Sequence, residues 1–502
     1  MTTRMYPQVG AGAGEASTAQ LTVSAKIVLL DVVVTDRKGR IVRDGLTRDD
    51  FAVLEDGQPQ VIRNFETPAD HAMPAGSASI VNSAADLRKI GSAPVTILVL
   101  DELNSRFEDS SYSRQMLVQF LKAQPPVLHE PMVLMVAENS TFQQIHDYTQ
   151  DRDALIEAVK QHKPEIPWRL TTGGKNSEGA VERMAQVLAA LQQLAQSSSG
   201  MPGRKNLIWL GNGFPSADLV GLDERTSTTI EAAFRRCMTR LMDARITLYS
   251  VNPTANSTET IQVMTPDDLS MGQDSNGNDP FASGAVSFAK LAQETGGIGF
   301  AGRNDLNSVI AEGIARGDAY YTLSYRPTGS SEESTHFRNI RIVMKDPNLH
   351  ATTRAGYYPD SAADLNPVVD KSMPSKQEAA NLKLDLSNAL MTRIVYSGLT
   401  VTASSIGEDR YAIHVGENGI GWSSPGANGS EHAEATVAAA WYDSKDKLMG
   451  HVAREETFPR SESSHGAQFL LPIELPKGAV RLRFVVRDAF NGHMGTYDIT
   501  GF

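Results

Sequence analysis

Pro94-Val-Thr-Ile-Leu-Val-Leu-Asp101-Glu-Leu-Asn-Ser105 is the stretch that decides the fold of this chain. An unbroken apolar, β-branched run reads as a buried parallel strand, because such a strand is covered on both faces. It delivers Asp101 at its carboxyl end, where ligands bind in open α/β sheets. A second run of the same kind, Asn206-Leu-Ile-Trp-Leu-Gly-Asn212-Gly213, ends on an amide in the equivalent position. What meets between Asp101 and Asn212 is the functional question.

Outward from these strands, residues 94–317 alternate between strand and helix patterns. Strands are expected at 95–101, 131–137, 143–147, 205–210, 245–251 and 298–300. Helices are expected near 111–122, 151–161, 177–196, 224–243, 283–295 and 305–316. This alternation predicts a doubly wound, mostly parallel sheet. The segment 143–147 follows its predecessor too closely for a helical crossover, so it should be an antiparallel edge strand. Val181, Met184, Val187, Leu188, Leu191 and Leu194 form a core stripe at helical spacing.

The flanks read as β-structure. Ile27-Val-Leu-Leu-Asp-Val-Val-Val34 and Phe51-Ala-Val-Leu-Glu55 are strands, and Asp56-Gly57 turns into Val61-Ile-Arg-Asn-Phe65. Residues 21–66 hold too few strands for a sandwich of their own. They are expected to pair with Ala319–Tyr325, Phe337–Met344 and Arg354–Tyr358, giving a β-sandwich of 21–66 plus 319–358 into which the α/β domain is inserted. Residues 1–20 read as a flexible N-terminus, 67–93 and 359–378 as linkers, and 379–502 as a second sandwich of short alternating strands, immunoglobulin-like in shape.

Composition narrows the function. At 502 residues the chain exceeds one core, and 41% hydrophobic with 21% charged residues is ordinary for a globular protein. A net charge of −12 argues against nucleic acid, whose phosphates need clustered Lys and Arg. No apolar run reaches membrane-spanning length. Met1–Pro7 has no apolar h-region, so no signal peptide is visible there. Cys237 is the single cysteine, on an amphipathic helix, and is expected to be a buried inert thiol.

Residues 94–317 resemble the von Willebrand factor type A domain, and the chain as a whole is similar to the bacterial von Willebrand factor A-related proteins best known from Acidobacteria. The resemblance rests on Asp31-Val-Val-Val-Thr-Asp36, Asp50-Phe51 with Glu55-Asp-Gly57, and Val99-Leu-Asp101. It continues through Gly203-Arg-Lys-Asn-Leu-Ile-Trp-Leu210, Leu291-Ala-Gln-Glu-Thr-Gly-Gly297 and Tyr320-Tyr-Thr-Leu-Ser-Tyr325. It implies a Rossmann-like domain whose first and fourth strands are neighbours. It also implies an extracytoplasmic setting and a metal-ion-dependent adhesion site. In the family that site reads Asp-x-Ser-x-Ser, with a Thr from a later loop and an Asp after the fourth strand, around Mg²⁺.

Here the site is degenerate. Asp101 and Ser105 match, Thr172 (or Thr171) falls near the Thr position, Leu103 replaces the first Ser, and Asn212 replaces the second Asp. Mg²⁺ prefers hard oxygen ligands, and losing a carboxylate and a hydroxyl removes a charge and a ligand. Asn212 and Ser105 could instead hydrogen-bond Asp101 directly. A metal-free polar cluster is the reading adopted, with weak Mg²⁺ binding at Asp101 and Ser105 as its alternative. Glu102, as the next residue, should point away from Asp101.

Enzyme signatures are weak. No Gly-x-Ser-x-Gly elbow occurs, and His129-Glu130 lacks the second His of a zincin. Gly173-Gly-Lys-Asn176 lacks the earlier Gly and final Ser or Thr of a phosphate loop, so it reads as a turn. Ser287-Phe-Ala-Lys290 and Ser444-Lys-Asp-Lys447 are matches of chance length. Asp274, Asn276 and Asn278 open like a calcium loop, but Asp279 and Ala285 stand where an EF-hand has Gly and Glu. Tyr320, Tyr321 and Tyr325 read as half-buried sandwich residues. The expectation is a non-enzymatic binding protein with no required cofactor, whose crevice residues Asp101, Ser105, Asn212 and Thr172 face a protein partner. The loops at 101–110, 171–178, 212–223 and 252–280 would make the contacts. A Mg²⁺-dependent adhesion module, a hydrolase and a structural scaffold are the alternatives.

Overall fold

A computed structural model describes residues 27–501 apart from 77–79, 139–141, 165–176, 215–216, 219–222, 254–284, 301–304, 329–336, 359–375, 408, 418, 424–430 and 461–465. Four strands come first: β1 (Val28–Asp36), β2 (Phe51–Glu55), β3 (Gln58–Gln60) and β4 (Ile62–Glu66). Asp56 and Gly57 sit at φ +48° and +78°, the left-handed backbone that a tight Asp-Gly hairpin requires.

An α/β unit follows. It comprises β5 (Val95–Asp101), α1 (Phe107–Ala123), β6 (Val127–Ala137), β7 (Phe142–Asp151), α2 (Arg152–Gln161) and α3 (Ser177–Ser197). It continues with β8 (Lys205–Leu210), β9 (Ala217–Asp218), α4 (Glu224–Asp243), β10 (Ile246–Val251), β11 (Ala285–Val286), α5 (Phe288–Glu294), β12 (Gly299–Phe300) and α6 (Leu306–Asp318). Six of the strands form one sheet in the order β12-β10-β8-β5-β6-β7, and β9 pairs with β11 alone. All pairs in the large sheet are parallel except β6–β7, where the connection is too short for a crossover.

Strand alternation sorts the side chains of this sheet between two helical layers. Val95, Ile97 and Val99 of β5, with Leu207 and Trp209 of β8, join Met184, Leu191, Phe234 and Met238 on α3 and α4. Leu98, Leu100, Ile208 and Leu210 join Leu117, Leu155 and Val309 on α1, α2 and α6. All seven residues of β5 are buried, which is why its sequence shows no polar face. Cys237 on α4 is fully buried, and burial pushes its thiol far up, as an inert core group.

After the sheet the chain returns to the first strands through β13 (Tyr321–Tyr325), β14 (Arg338–Met344), β15 (Leu349–Thr352) and β16 (Gly356–Tyr357). Two four-stranded sheets result, β15-β1-β13-β4 and β16-β14-β2-β3. Leu30, Val32, Phe51, Val53, Leu323 and Ile340 fill the space between them. Tyr320, Tyr321 and Tyr325 are completely buried rather than half-buried, and Tyr325 donates its hydroxyl to Glu55 at 2.6 Å.

The C-terminal third contains α7 (Lys376–Met391), β17 (Val401–Gly407), β18 (Arg410–Gly416), β19 (His432–Tyr442), β20 (Leu448–Pro459), β21 (Gly466–Pro472), β22 (Arg481–Asp488) and β23 (Met494–Thr500). Sheets β17-β18-β21 and β20-β19-β22-β23 enclose a core of Ile413, Val437, Phe469 and Phe484. The chain thus combines an α/β unit with β-sandwiches.

One expected linker differs from expectation. The described residues of 67–93 are packed: Val81, Leu87 and Ile90 join the core of β5, and the buried His71 stacks on Tyr320 with ring centroids 4.4 Å apart. Their apolar residues are spaced without helical or strand period, so sequence pattern cannot show the docking. Residues 359–375 lie outside the described residues, and 376–391 are α7, not linker or strand. The carboxyl end of α7 is held by the buried Arg483, which donates to the carbonyls of Ala389, at 2.8 Å, and Ile394. On that side Ala438, Ala440 and Val485 belong to the same apolar cluster as the α/β unit.

Candidate functional site

Asp101 ends β5 on the face that carries Val99, so alternation directs its side chain toward Trp209 of the neighbouring β8. Its carboxylate accepts four hydrogen bonds. Oδ1 takes the main-chain N–H groups of Leu103 (3.1 Å) and Asn104 (2.8 Å), and Oδ2 takes the Trp209 indole (3.1 Å) and the Gly213 N–H (2.7 Å). The group is 1% exposed. Burial raises its pKa to about 6, because it outweighs those four donors, which supply partial charges rather than a full one.

Two glycines make the enclosure possible. At Gly211 a β-carbon would lie 2.3 Å from that of Asp101, and at Gly213 it would strike the Phe288 ring at 2.2 Å. Gly213 is also at φ +64°, the left-handed region, which aims its N–H at the carboxylate.

Ser105 and Asn212 do meet at this point, but by other contacts than expected. The Asn212 N–H donates to Ser105 Oγ at 3.3 Å, and the Asn212 side-chain amide donates to the Asn104 carbonyl at 3.1 Å. The four donors to Asp101 are therefore Leu103, Asn104, Trp209 and Gly213, not Asn212 and Ser105. Ser105 is 1% exposed and Asn212 half-buried. Leu103 is buried in the core and offers no side-chain oxygen. Thr172 and Thr171 lie outside the described residues, as do most of the 171–178 and 252–280 loops and parts of 212–223. A Mg²⁺ ion at Asp101 would have to displace N–H donors from both oxygens, and Leu103 beside it offers no oxygen from its side chain while Asn212 offers an uncharged amide. These residues do not fit that ion.

Just beyond, Phe107 opens α1 with 54% of its surface exposed. The loop 102–106 that displays it is the one that Asp101 fastens. Ser287 of the Ser-x-x-Lys match caps α5, accepting the Lys290 N–H at 3.1 Å, which accounts for that motif structurally.

A second cluster escaped the sequence reading. Glu102, one residue past Asp101, points to the opposite layer, where its Oε1 lies 3.3 Å from Arg114 of α1 and its Oε2 3.0 Å from His162 Nε2. Glu138 Oε1 lies 3.5 Å from the same nitrogen. The available signal was Glu138 itself, an acid directly after the apolar strand β6; His162 carries no local signal.

No family model matches the chain, and no curated protein matches it. Among solved structures it is similar to the pilus adhesin SpaC from Lactobacillus rhamnosus GG, at 8% identity and a TM-score of 0.24, over 81% of this chain and 53% of that one. An endonuclease/exonuclease/phosphatase from Beutenbergia cavernae DSM 12333 is similar at 11% identity and a TM-score of 0.10, over 38% of this chain and 39% of that one. The matched part thus spans about half of the adhesin and two fifths of the second protein. Among the described residues no helix is long and apolar enough to cross a membrane.

Proposed function

We propose that this chain is a non-enzymatic binding protein of the von Willebrand factor A-related kind. It presents the loops at the carboxyl ends of its central parallel strands to a protein partner and needs no metal to do so. The observation that carries this reading is the closed carboxylate of Asp101. With both oxygens engaged by N–H donors, it fixes the 102–106 loop and leaves Phe107 and Asn212 at the rim. An exposed aromatic and a half-buried amide suit a protein surface, since aromatic residues supply much of the apolar area at protein interfaces. The strand order β12-β10-β8-β5-β6-β7, with an antiparallel edge, supports the type A reading, as do the sequence motifs. An immunoglobulin-like C-terminal sandwich and an extracytoplasmic setting belong to the same proposal.

The test places the photocrosslinker p-benzoylphenylalanine at Phe107 in one chain and at the exposed Val343 of the sandwich in another. Each is irradiated in extracts of the producing organism. A protein adduct specific to position 107 and equal in EDTA and in Mg²⁺ is the expected result. An adduct that requires Mg²⁺, or equal labelling from both positions, would overturn the reading.

A further inference from the structure

We propose that Glu102, Glu138 and His162 bind a divalent transition-metal cation of the Zn²⁺ or Mn²⁺ type, on the opposite face of the sheet from Asp101. Sheet geometry builds this site. Asp101 and Ala137 are register partners on the parallel strands β5 and β6, and the Glu102 N–H donates to the Ala137 carbonyl at 2.8 Å. One residue further on, Glu102 and Glu138 therefore stand side by side. They follow Leu100 and Val136, whose side chains face α1 and α2, so alternation sends both carboxylates that way. The end of α2 brings His162 between them.

The donor atoms of the three residues all lie within 4.8 Å of one another, and His162 Nε2 is 3.0 Å and 3.5 Å from the two carboxylates. Ligands held about 2.0–2.2 Å from one Zn²⁺ ion are separated by distances of this order. The bridging atom is a single ring nitrogen. A bare lone pair there would face two carboxylates, so it must carry a proton or share a cation. A proton on that nitrogen points one way, toward Glu102 at 3.0 Å. A cation draws all three donors together.

The side chains are 1%, 6% and 10% exposed for Glu102, Glu138 and His162, so the ligands are already largely dehydrated and held. Arg114 supplies the support. It contacts Glu102 at 3.3 Å and donates to the main-chain carbonyls of Val159 (2.7 Å) and His162 (2.6 Å), fixing one carboxylate and the backbone of the histidine together. Two carboxylate oxygens with one imidazole select Zn²⁺ or Mn²⁺ over Mg²⁺ and Ca²⁺, which prefer all-oxygen shells.

The experiment is calorimetric titration of the full chain with ZnCl₂, MnCl₂ and MgCl₂. Wild type, Glu138→Gln, His162→Ala and, as a remote control, Glu431→Gln are compared after circular dichroism confirms that each is folded. Saturable binding of one Zn²⁺ or Mn²⁺ per chain is expected. It should be weakened at least about tenfold in Glu138→Gln and His162→Ala and unchanged in Glu431→Gln. Should His162→Ala not fold, His162→Gln replaces it. Wild type without saturable Zn²⁺ or Mn²⁺ binding would show the cluster to be a proton-bridged ion pair and overturn the proposal. Binding that survives both ligand substitutions would overturn it equally.

Discussion

Two aspartates, the buried Asp101 and the half-buried Asp31, mark the two ends of the central sheet, and they are stabilised in opposite ways. Asp101, at the carboxyl end, is surrounded by neutral N–H donors. Asp31, on β1, meets the opposite end of the sheet, where Arg245 lies 2.5 Å from its Oδ1 and Thr322 donates to it at 3.1 Å. Burial raises both. At Asp31 the full charges of Arg245 and Arg204 and the hydroxyl of Thr322 more than offset that effect, and its pKa is lowered. At Asp101 dipoles alone oppose burial, and the value rises to about 6. A full charge a few ångströms away outweighs several dipoles. The first end is an ion-paired joint between sheet and sandwich; the second is a loop fastened by hydrogen bonds.

The joint should be the costlier end to break. Arg245→Met leaves Asp31 enclosed without its main partner and should destabilise the protein by about 3 kcal/mol in urea denaturation. A loss near zero would mean that solvent or Arg204 already carries the charge. Asp101→Ala strands the Trp209 indole and the Gly213 N–H and should cost about 2 kcal/mol, with no difference between Mg²⁺ and EDTA. Recovery of stability by Mg²⁺ in wild type alone would break the contrast, because it would put a metal at the dipole-held end.

The last contrast is a difference of sign in pH dependence. Asp101, with its folded pKa raised above the unfolded value, carries a cost that is present above about pH 6 and relieved as pH falls toward about 4. Its contribution to stability therefore grows on acidification through that window, by on the order of 2 kcal/mol. Asp31, with its folded pKa lowered, contributes stability above the unfolded value of 3.8 and loses it as pH falls further. Denaturation midpoints of Asp101→Asn and wild type should diverge between pH 6.5 and 4, and those of Asp31→Asn and wild type only below about pH 4. Parallel curves for Asp101→Asn and wild type would show that the carboxylate at the carboxyl end keeps an ordinary pKa.

Legibility in the sequence followed the range of the interaction. The apolar runs at Val95–Asp101 and Lys205–Leu210 identify the central strands, since a strand covered on both faces has no polar side to show. β20 is hard to read for the converse reason: no residue of Leu448–Pro459 is fully buried, so little apolar alternation marks it. α7 is hard to read because, among its described side chains, only Ala389 and Leu390 in the last turn are buried, while Leu384 is exposed. Around Asp101 the sequence identified Ser105 and Asn212, which meet there, but neither their bonds nor the four donors to the carboxylate. Which donors fill the carboxylate depends on where Gly213 and Trp209 arrive from a strand more than a hundred positions away.

By itself, then, the sequence determined the layered α/β unit, the strands at its centre and the carboxyl-end position of Asp101, because apolar periodicity is a local property of the chain. Only the tertiary structure decided that Asp101 is closed by N–H groups, that Glu102 joins Glu138 and His162 on the other face, and that Asp31 is paired with Arg245. Trp209 and Gly213 stand 108 and 112 residues from Asp101, His162 60 from Glu102 and Arg245 214 from Asp31, and these meetings are set by strand register and packing, which no local pattern encodes.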